Sequence, residues 1–261
     1  MKYYPLDLAR VVYMPKRKLY LITVILPEEP RAIAAVVEKL NEANIEILTV
    51  YGYAFMRKKV GHLSLIVDLT ESSFTIEKLI DGLEKMPEVL SVEYVEPEEP
   101  GLIIDKYHFP ILYGAGRAVL FDIGTLSAMF EEMRKQWGSA GEALIYYLGY
   151  AAGRNYAKHI MERYEELSMR QLSLILRDIG QAYGWAILDT EIREEEIVVK
   201  AKELFECKPI EGMRSKPYSQ FFRGYISGVA SEILGKEMIA EEVKCISKGD
   251  EHCEFVIKEK K

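Results

Sequence analysis

Glu242-Val-Lys-Cys245-Ile-Ser-Lys-Gly249-Asp250-Glu-His252-Cys253-Glu-Phe255 places two of the chain's three cysteines on either side of a Gly-Asp turn. The stretch reads as a hairpin. A three-residue loop, Lys248 to Asp250 with Gly249 supplying positive φ, sets Cys245 directly opposite Cys253. Cβ atoms so paired lie about 5 Å apart. At that separation two thiolates can share one metal, or close into a disulfide, or stay as two small buried apolar groups. All three states stay open at this point.

Upstream of the hairpin the pattern is helical. A helix over about Pro217 to Leu234 precedes it, and earlier helices are expected near Thr125 to Trp137, Ser139 to Tyr164 and Ser168 to Tyr183. The last of these carries Leu172, Ile175, Leu176 and Ile179 on one face. Strands are expected at Trp185 to Ile192 and Ile197 to Phe205. Helices followed by strands, without βαβ alternation, make this half α+β. Two of its helices repeat a small-residue phrase, Gly149-Tyr150-Ala-Ala-Gly153 and Gly224-Tyr225-Ile-Ser-Gly228. Glycines four apart lay a flat strip on one helix face and permit close backbone approach. The same helices carry Tyr150, Tyr218, Phe221, Phe222 and Tyr225, candidate walls of a cavity for an apolar or aromatic ligand.

The first half follows a different grammar. Leu19-Tyr-Leu-Ile-Thr-Val-Ile-Leu26 is a strand bounded by Pro27 and Pro30, and Ile33, Val36, Val37 and Leu40 then mark a helical face. Strands at Ile45 to Met56 and Val60 to Leu69 flank the basic turn Arg57-Lys58-Lys59. A second helical face, Ile76, Leu79, Ile80 and Leu83, leads to a last strand over Val89 to Val95. This βαββαβ order predicts a ferredoxin-like sandwich with both helices on one face of an antiparallel sheet. Residues 1–18 form an N-terminal extension, residues 19–97 the first domain, the acidic, proline-punctuated residues 98–109 a linker, and residues 110–258 the second domain.

Composition narrows the function. With 261 residues and a net charge of −7 on interspersed charges, the chain has no concentrated basic face for nucleic acid. An odd number of cysteines and the lack of a leader pattern favour the cytoplasm, and the longest apolar run, Ala143 to Ala152, is too short to span a bilayer. Gly114-x-Gly116-Arg117 lacks the remainder of a phosphate-binding loop and reads as a turn, with Arg117 a candidate partner for an anionic ligand group. No metal-type histidine spacing, cofactor fingerprint or catalytic acid-base constellation is evident, so whether the chain is an enzyme stays open, with the balance against.

Two resemblances sharpen these readings. The first half, with Pro27-Glu-Glu-Pro30-Arg31-Ala32-Ile33 opening its first helix, resembles an ACT domain. That resemblance implies dimerisation or response to an effector. Arg31 stands where ligand-binding members usually have Gly, and its side chain is expected to fill the effector's space. The second half, through Lys216-Pro217-Tyr-Ser219 to Gly228 and then Glu242-x2-Cys245-x7-Cys253-x-Phe255, resembles the 4-vinyl reductase domain, which shares its fold with TRAPP trafficking subunits.

The second resemblance implies a hydrophobic small-molecule pocket, usually in a homodimer, and in phenol-sensing members a structural zinc. The zinc positions carried over are Ser219, Glu242, Cys245 and Cys253. Serine is a poor zinc ligand, so Cys207 is the candidate substitute. In a regular strand Glu241, not Glu242, shares the side of Cys245; a β-bulge would bring Glu242 round. The function expected is a regulatory sensor of a small hydrophobic or aromatic ligand that performs no turnover. The alternatives are a reductase or accessory protein of vinyl-group reduction, and an interaction scaffold.

Overall fold

The computed structural model describes residues 3–55, 59–113, 116–164 and 169–261. Met56, Arg57 and Lys58 at the expected basic turn, Gly114 of the glycine pair and Ser168 at an expected helix start lie outside them, as do the side chains of Leu172 and Leu176. The chain divides into two compact units, Met1–Ala118 and Val119–Lys261.

In the first unit the order is β1 (Val11–Tyr13), β2 (Leu19–Pro27), α1 (Pro30–Glu42), β3 (Glu46–Phe55), β4 (Val60–Asp68), α2 (Ile76–Glu84), β5 (Ser91–Val95), β6 (Leu102–Ile104), β7 (Leu112–Tyr113) and β8 (Gly116–Arg117). The antiparallel sheet runs β3-β4-β2-β5, which is the ferredoxin-like arrangement. β2 is apolar at nearly every position because both its faces are covered. Ile22, Val24 and Leu26 meet the helices, whereas Leu19 and Leu21 pack with Ile66 and Ile103 on the other face. Ile103 belongs to β6, which pairs with β1. The extension and the segment expected as a linker therefore form a ribbon over the sheet.

Side chains fasten that ribbon. Arg10 donates to the Asp105 carboxylate at 2.6 Å, and His108 bridges Asp105 (Nδ1, 2.7 Å) and Ser64 of β4 (Nε2, 2.8 Å). His108→Ala removes both bridges, and the expected loss is about 1–2 kcal/mol in urea unfolding. The α1 face also differs from expectation. Ala32, Val36 and Leu40 are buried, while Ile33 and Val37 are exposed, because the helix is turned so that its smallest residue meets the sheet.

The second unit contains α3 (Ile123–Trp137), α4 (Ser139–Arg163), α5 (Met169–Ala182), β9 (Ile187–Ile192), β10 (Ile197–Lys202), α6 (Gln220–Leu234), β11 (Met238–Lys244) and β12 (Cys253–Glu259). Its antiparallel sheet runs β11-β12-β10-β9. α6 packs on the sheet through Phe222, whose ring lies 5.4 Å from that of Phe255. Ser227 and Ser231, one turn apart on α6, accept from the backbone N–H groups of Ala240 and Met238 at 2.9 and 2.8 Å. The amides on the outer edge of β11 are thereby satisfied. α4 and α6 cross at their glycines: a Cβ on Gly149 would meet the Phe221 carbonyl oxygen at 2.0 Å, and one on Gly224 the Tyr146 carbonyl oxygen at 2.0 Å.

Candidate functional site

Both hairpin cysteines are buried, although the hairpin is not the one expected. β11 ends at Lys244 and β12 starts at Cys253; residues 245–252 between them contain a 3-10 turn, Ile246–Lys248, in place of a three-residue loop. Gly249 closes the turn at φ 95°, and the Asp250 carboxylate accepts from the Cys245 backbone N–H at 2.8 Å. The longer connection wins because this carboxylate and the 3-10 bonds satisfy backbone groups that a tight loop would leave to solvent. Cys253 stands opposite Ala201 of β10, not opposite Cys245.

A register shift in β11 between Glu242 and Lys244 decides the carboxylate. The bulge turns Glu242 inward, at 8% exposure, and leaves Glu241 exposed. Cys207 arrives from the other side. It precedes the 3-10 turn Lys208–Ile210, and the loop beyond it is held against the hairpin by Gly212 N–H to Ile246 O and Arg214 N–H to Ser247 O, at 3.1 and 2.8 Å. The donor atoms of Cys207, Glu242, Cys245 and Cys253 lie within 4.8 Å of one another, and all four residues are buried.

The three cysteines are free thiols. The Cys207 and Cys245 sulfurs are 3.5 Å apart, far beyond a disulfide bond and close to the ~3.8 Å expected between two thiolates on one tetrahedral zinc. Ser219, the N-cap of α6, contacts the cluster through Oγ: 2.9 Å from the Cys207 sulfur and donating to Glu242 Oε1 at 2.8 Å. Its backbone N–H donates to Glu242 Oε2 at 3.1 Å. Burial, reinforced by Cys245, pushes the Glu242 carboxyl up to about 8. Hydrogen bonding from Cys207 and Cys253 lowers Cys245, while the same contact raises Cys207. One thiol can ionise, and its charge opposes ionisation of the next.

Three soft donors and one carboxylate, closed off from solvent, form a set that could hold a metal ion of the zinc class. The sulfurs also have donors that would temper a concentration of negative charge. The Ile246 N–H donates to Cys253 Sγ at 3.3 Å, and Ser247 Oγ lies 3.0 Å from Cys245 Sγ.

The aromatic candidates divide. Phe222 and Tyr225 line a cavity of about 40 Å3 together with Trp185, Ile226, Val229 and Tyr183. Phe221 lies outside its walls, in an aromatic cluster with Phe130, Phe205 and Trp185. Tyr218 lies under the Arg134 guanidinium, 3.6 Å from ring centroid to Cζ, and its hydroxyl donates to Glu131. Tyr150 stacks on Tyr146 instead, and Arg117, exposed in the first unit, sits over the Phe109 ring at 4.7 Å. One helix cannot turn five aromatics to a single cavity, so residues adjacent in sequence face different neighbours.

Two arrangements escaped the sequence. Glu206 is buried and its carboxylate accepts from the Phe221 and Phe222 N–H groups at the start of α6, at 3.2 and 3.0 Å, and from Arg134 at 3.2 Å. Burial still pushes this carboxyl up to about 7. Its signal was a lone acid in the apolar run Leu204-Phe-Glu-Cys207. In the first unit, Asp105, His108 and Ser64 have the order of a nucleophilic relay, spread over distant positions. Ser64 is fully buried and also bonded to Thr23 at 3.0 Å, so its hydroxyl is a clamp and not a nucleophile open to substrate. The Arg31 side chain, expected to fill a ligand space, is 80% exposed and paired with Glu29 at 2.5 Å. It leaves a cleft of about 520 Å3 bordered by Pro27, Pro30, Ile33, Gly52 and His62.

The second unit has counterparts in known proteins. Residues 197–259 match the family model of the vinyl-4-reductase domain. An uncharacterized protein of Methanocaldococcus jannaschii is 30% identical over 122 residues, spanning 46% of this chain and 66% of that protein. The sensory domain of the phenol-responsive transcription activator PoxR, solved with phenol, superposes with a TM-score of 0.51 at 19% identity, covering 57% of this chain and 79% of that one. A vinyl-4-reductase family protein from Methanocaldococcus jannaschii gives a TM-score of 0.35 at 18% identity over 56% of this chain and all of that one. The family-model match ends where β12 ends, and it contains the hairpin with Glu242, Cys245 and Cys253. No helix among the described residues is long and apolar enough to cross a membrane.

Proposed function

We propose that this chain is a sensor that binds a small hydrophobic or aromatic molecule in its second unit, without turnover, and that a structural zinc held by the thiol cluster fixes the base of that unit. The observation that carries the reading is the cavity of about 40 Å3 between α5, β9 and α6, walled by Trp185, Phe222, Tyr225, Ile226 and Val229. A water molecule's share of liquid is about 30 Å3, so a phenol-sized guest must enlarge the cavity. The half-buried Ile179 and Tyr183 of its α5 wall are the side chains placed to give way. PoxR, whose sensory domain was solved with phenol, supports this class of guest.

The first unit, with its ferredoxin-like sheet, is read as an ACT-like module for homodimerisation or effector response in a cytoplasmic protein. The test is native mass spectrometry together with thermal melts in phenol, p-cresol and a medium-chain fatty acid. We expect a dimer mass, a retained guest and a rise in melting temperature. Val229→Phe, which fills the cavity, should weaken the response at least tenfold while preserving the fold. A chain that carries no guest and melts at one temperature with every compound would remove the sensor reading.

A further inference from the structure

The cluster differs from the ligand set implied by the phenol-sensing members in one respect: Ser219 stands where they supply a thiol. Position 219 is nevertheless not idle. Its N–H and O–H each take one oxygen of the Glu242 carboxylate, at 3.1 and 2.8 Å. Both carboxylate oxygens are thereby oriented, and each keeps a lone pair free. The sulfur that fills the space beside Ser219 belongs to Cys207, 2.9 Å from the serine oxygen and 3.5 Å from the Cys245 sulfur. Cys207 is buried at 0% exposure. It is fixed by its own N–H to Leu204 O at 3.0 Å and by the loop that pairs with the hairpin.

From this geometry we infer that Cys207 has taken over the missing corner of the metal site, and that Ser219 has become a positioning residue that holds Glu242. The inference rests on the zinc reading above. Binding then draws on three segments of the unit: the turn after β10 through Cys207, the start of α6 through Ser219 and its carboxylate, and the hairpin through Cys245 and Cys253. Each thiol that ligates gives its proton to solvent, so three protons leave with the thiols, and the ion replaces the hydrogen bonds the sulfurs share in its absence. Position 219 cannot serve as a fourth strong donor, because its hydroxyl proton is committed to Glu242 and a neutral serine oxygen binds zinc weakly.

The roles separate by how many sulfurs the metal touches. The full-length protein is purified under reducing conditions, its zinc measured by elemental analysis, and the zinc replaced by cobalt(II), whose sulfur-to-metal charge-transfer band grows with each thiolate. Wild type should bind one ion per chain with the band of three thiolates. Cys207→Ser should fall to two and lose at least tenfold in affinity by chelator competition. Ser219→Ala should keep three thiolates and lose about 10-fold to 100-fold in affinity, the usual cost of removing a group that orients a ligand.

The double variant Cys207→Ser/Ser219→Cys should return to three thiolates, and it provides a folded comparison if Cys207→Ser alone does not fold. A wild-type band of two thiolates, unchanged by Cys207→Ser, overturns the assignment of Cys207 and leaves the zinc reading in place. Wild type that holds neither zinc nor cobalt overturns both.

Discussion

Gly224→Ala is expected to destabilise the second unit by about 2 kcal/mol or more, although helix propensity alone predicts a gain of about 1 kcal/mol from the same change. The reason is backbone geometry. The added Cβ would lie 2.0 Å from the Tyr146 carbonyl oxygen and 3.0 Å from the Tyr150 nitrogen, both backbone atoms of α4 that no rotamer change can move. The helices must separate, and every contact along their crossing weakens with them; overpacking of this kind costs about 1–3 kcal/mol and occasionally more. Gly149→Ala should behave alike, since its Cβ would meet the Phe221 carbonyl oxygen at 2.0 Å.

The pair of substitutions should cost less than the sum, because helices already parted for one methyl admit the second. Gly180→Ala is the control: its Cβ would meet the Leu188 side-chain terminus at 3.1 Å, which can shift, so the change should be near neutral. Chemical denaturation reads all four variants. A more stable Gly224→Ala protein would mean that the helices do not approach this closely.

Those glycines show what a sequence can carry. Spacing of four on two helices states that something approaches closely, and the structure adds that each helix is the other's partner. The βαββαβ order was legible because the apolar period changes between strand and helix. The ribbon of β1 and β6 was not, since strands of three residues leave no period to read. Its one trace was β2 itself, apolar on both faces and so in need of a second cover.

At the thiol cluster, the cysteines were conspicuous by type, but the side of the strand on which a carboxylate lies depends on a bulge. Alternation named Glu241; the shift between Glu242 and Lys244 reversed it. The aromatics failed for a related reason. Composition says that Tyr218, Phe221, Phe222 and Tyr225 are held by the fold, while the rotation of α6 decides that only Phe222 and Tyr225 border the cavity.

Glu206→Ala should be the most damaging single substitution in the second unit, at about 3–5 kcal/mol, because it strands a positive charge. Arg134 has a side chain only 10% exposed, and its Nε and Nη1 make no hydrogen bond among the described residues. Its charge is answered by Glu206 at 3.2 Å, by the Tyr218 carbonyl at 2.9 Å and by the face of the Tyr218 ring. Without the carboxylate, the guanidinium keeps a carbonyl and a π-face, too little to offset its lost hydration.

The same deletion leaves the first N–H groups of α6, at Phe221 and Phe222, without an acceptor and removes a negative charge from the positive end of the helix. Glu206→Gln should fall between, keeping an acceptor for the helix and losing the ion pair. Arg134→Met tests whether the cost lies in the stranded charge. If it does, Glu206→Ala/Arg134→Met will be more stable than Glu206→Ala alone, since the second change removes the group that the first left unpaired. Should the double variant instead be the weaker protein, helix capping and not charge pairing would be the larger share of what Glu206 contributes. Since the pair is shielded from solvent, 1 M salt should alter neither ranking.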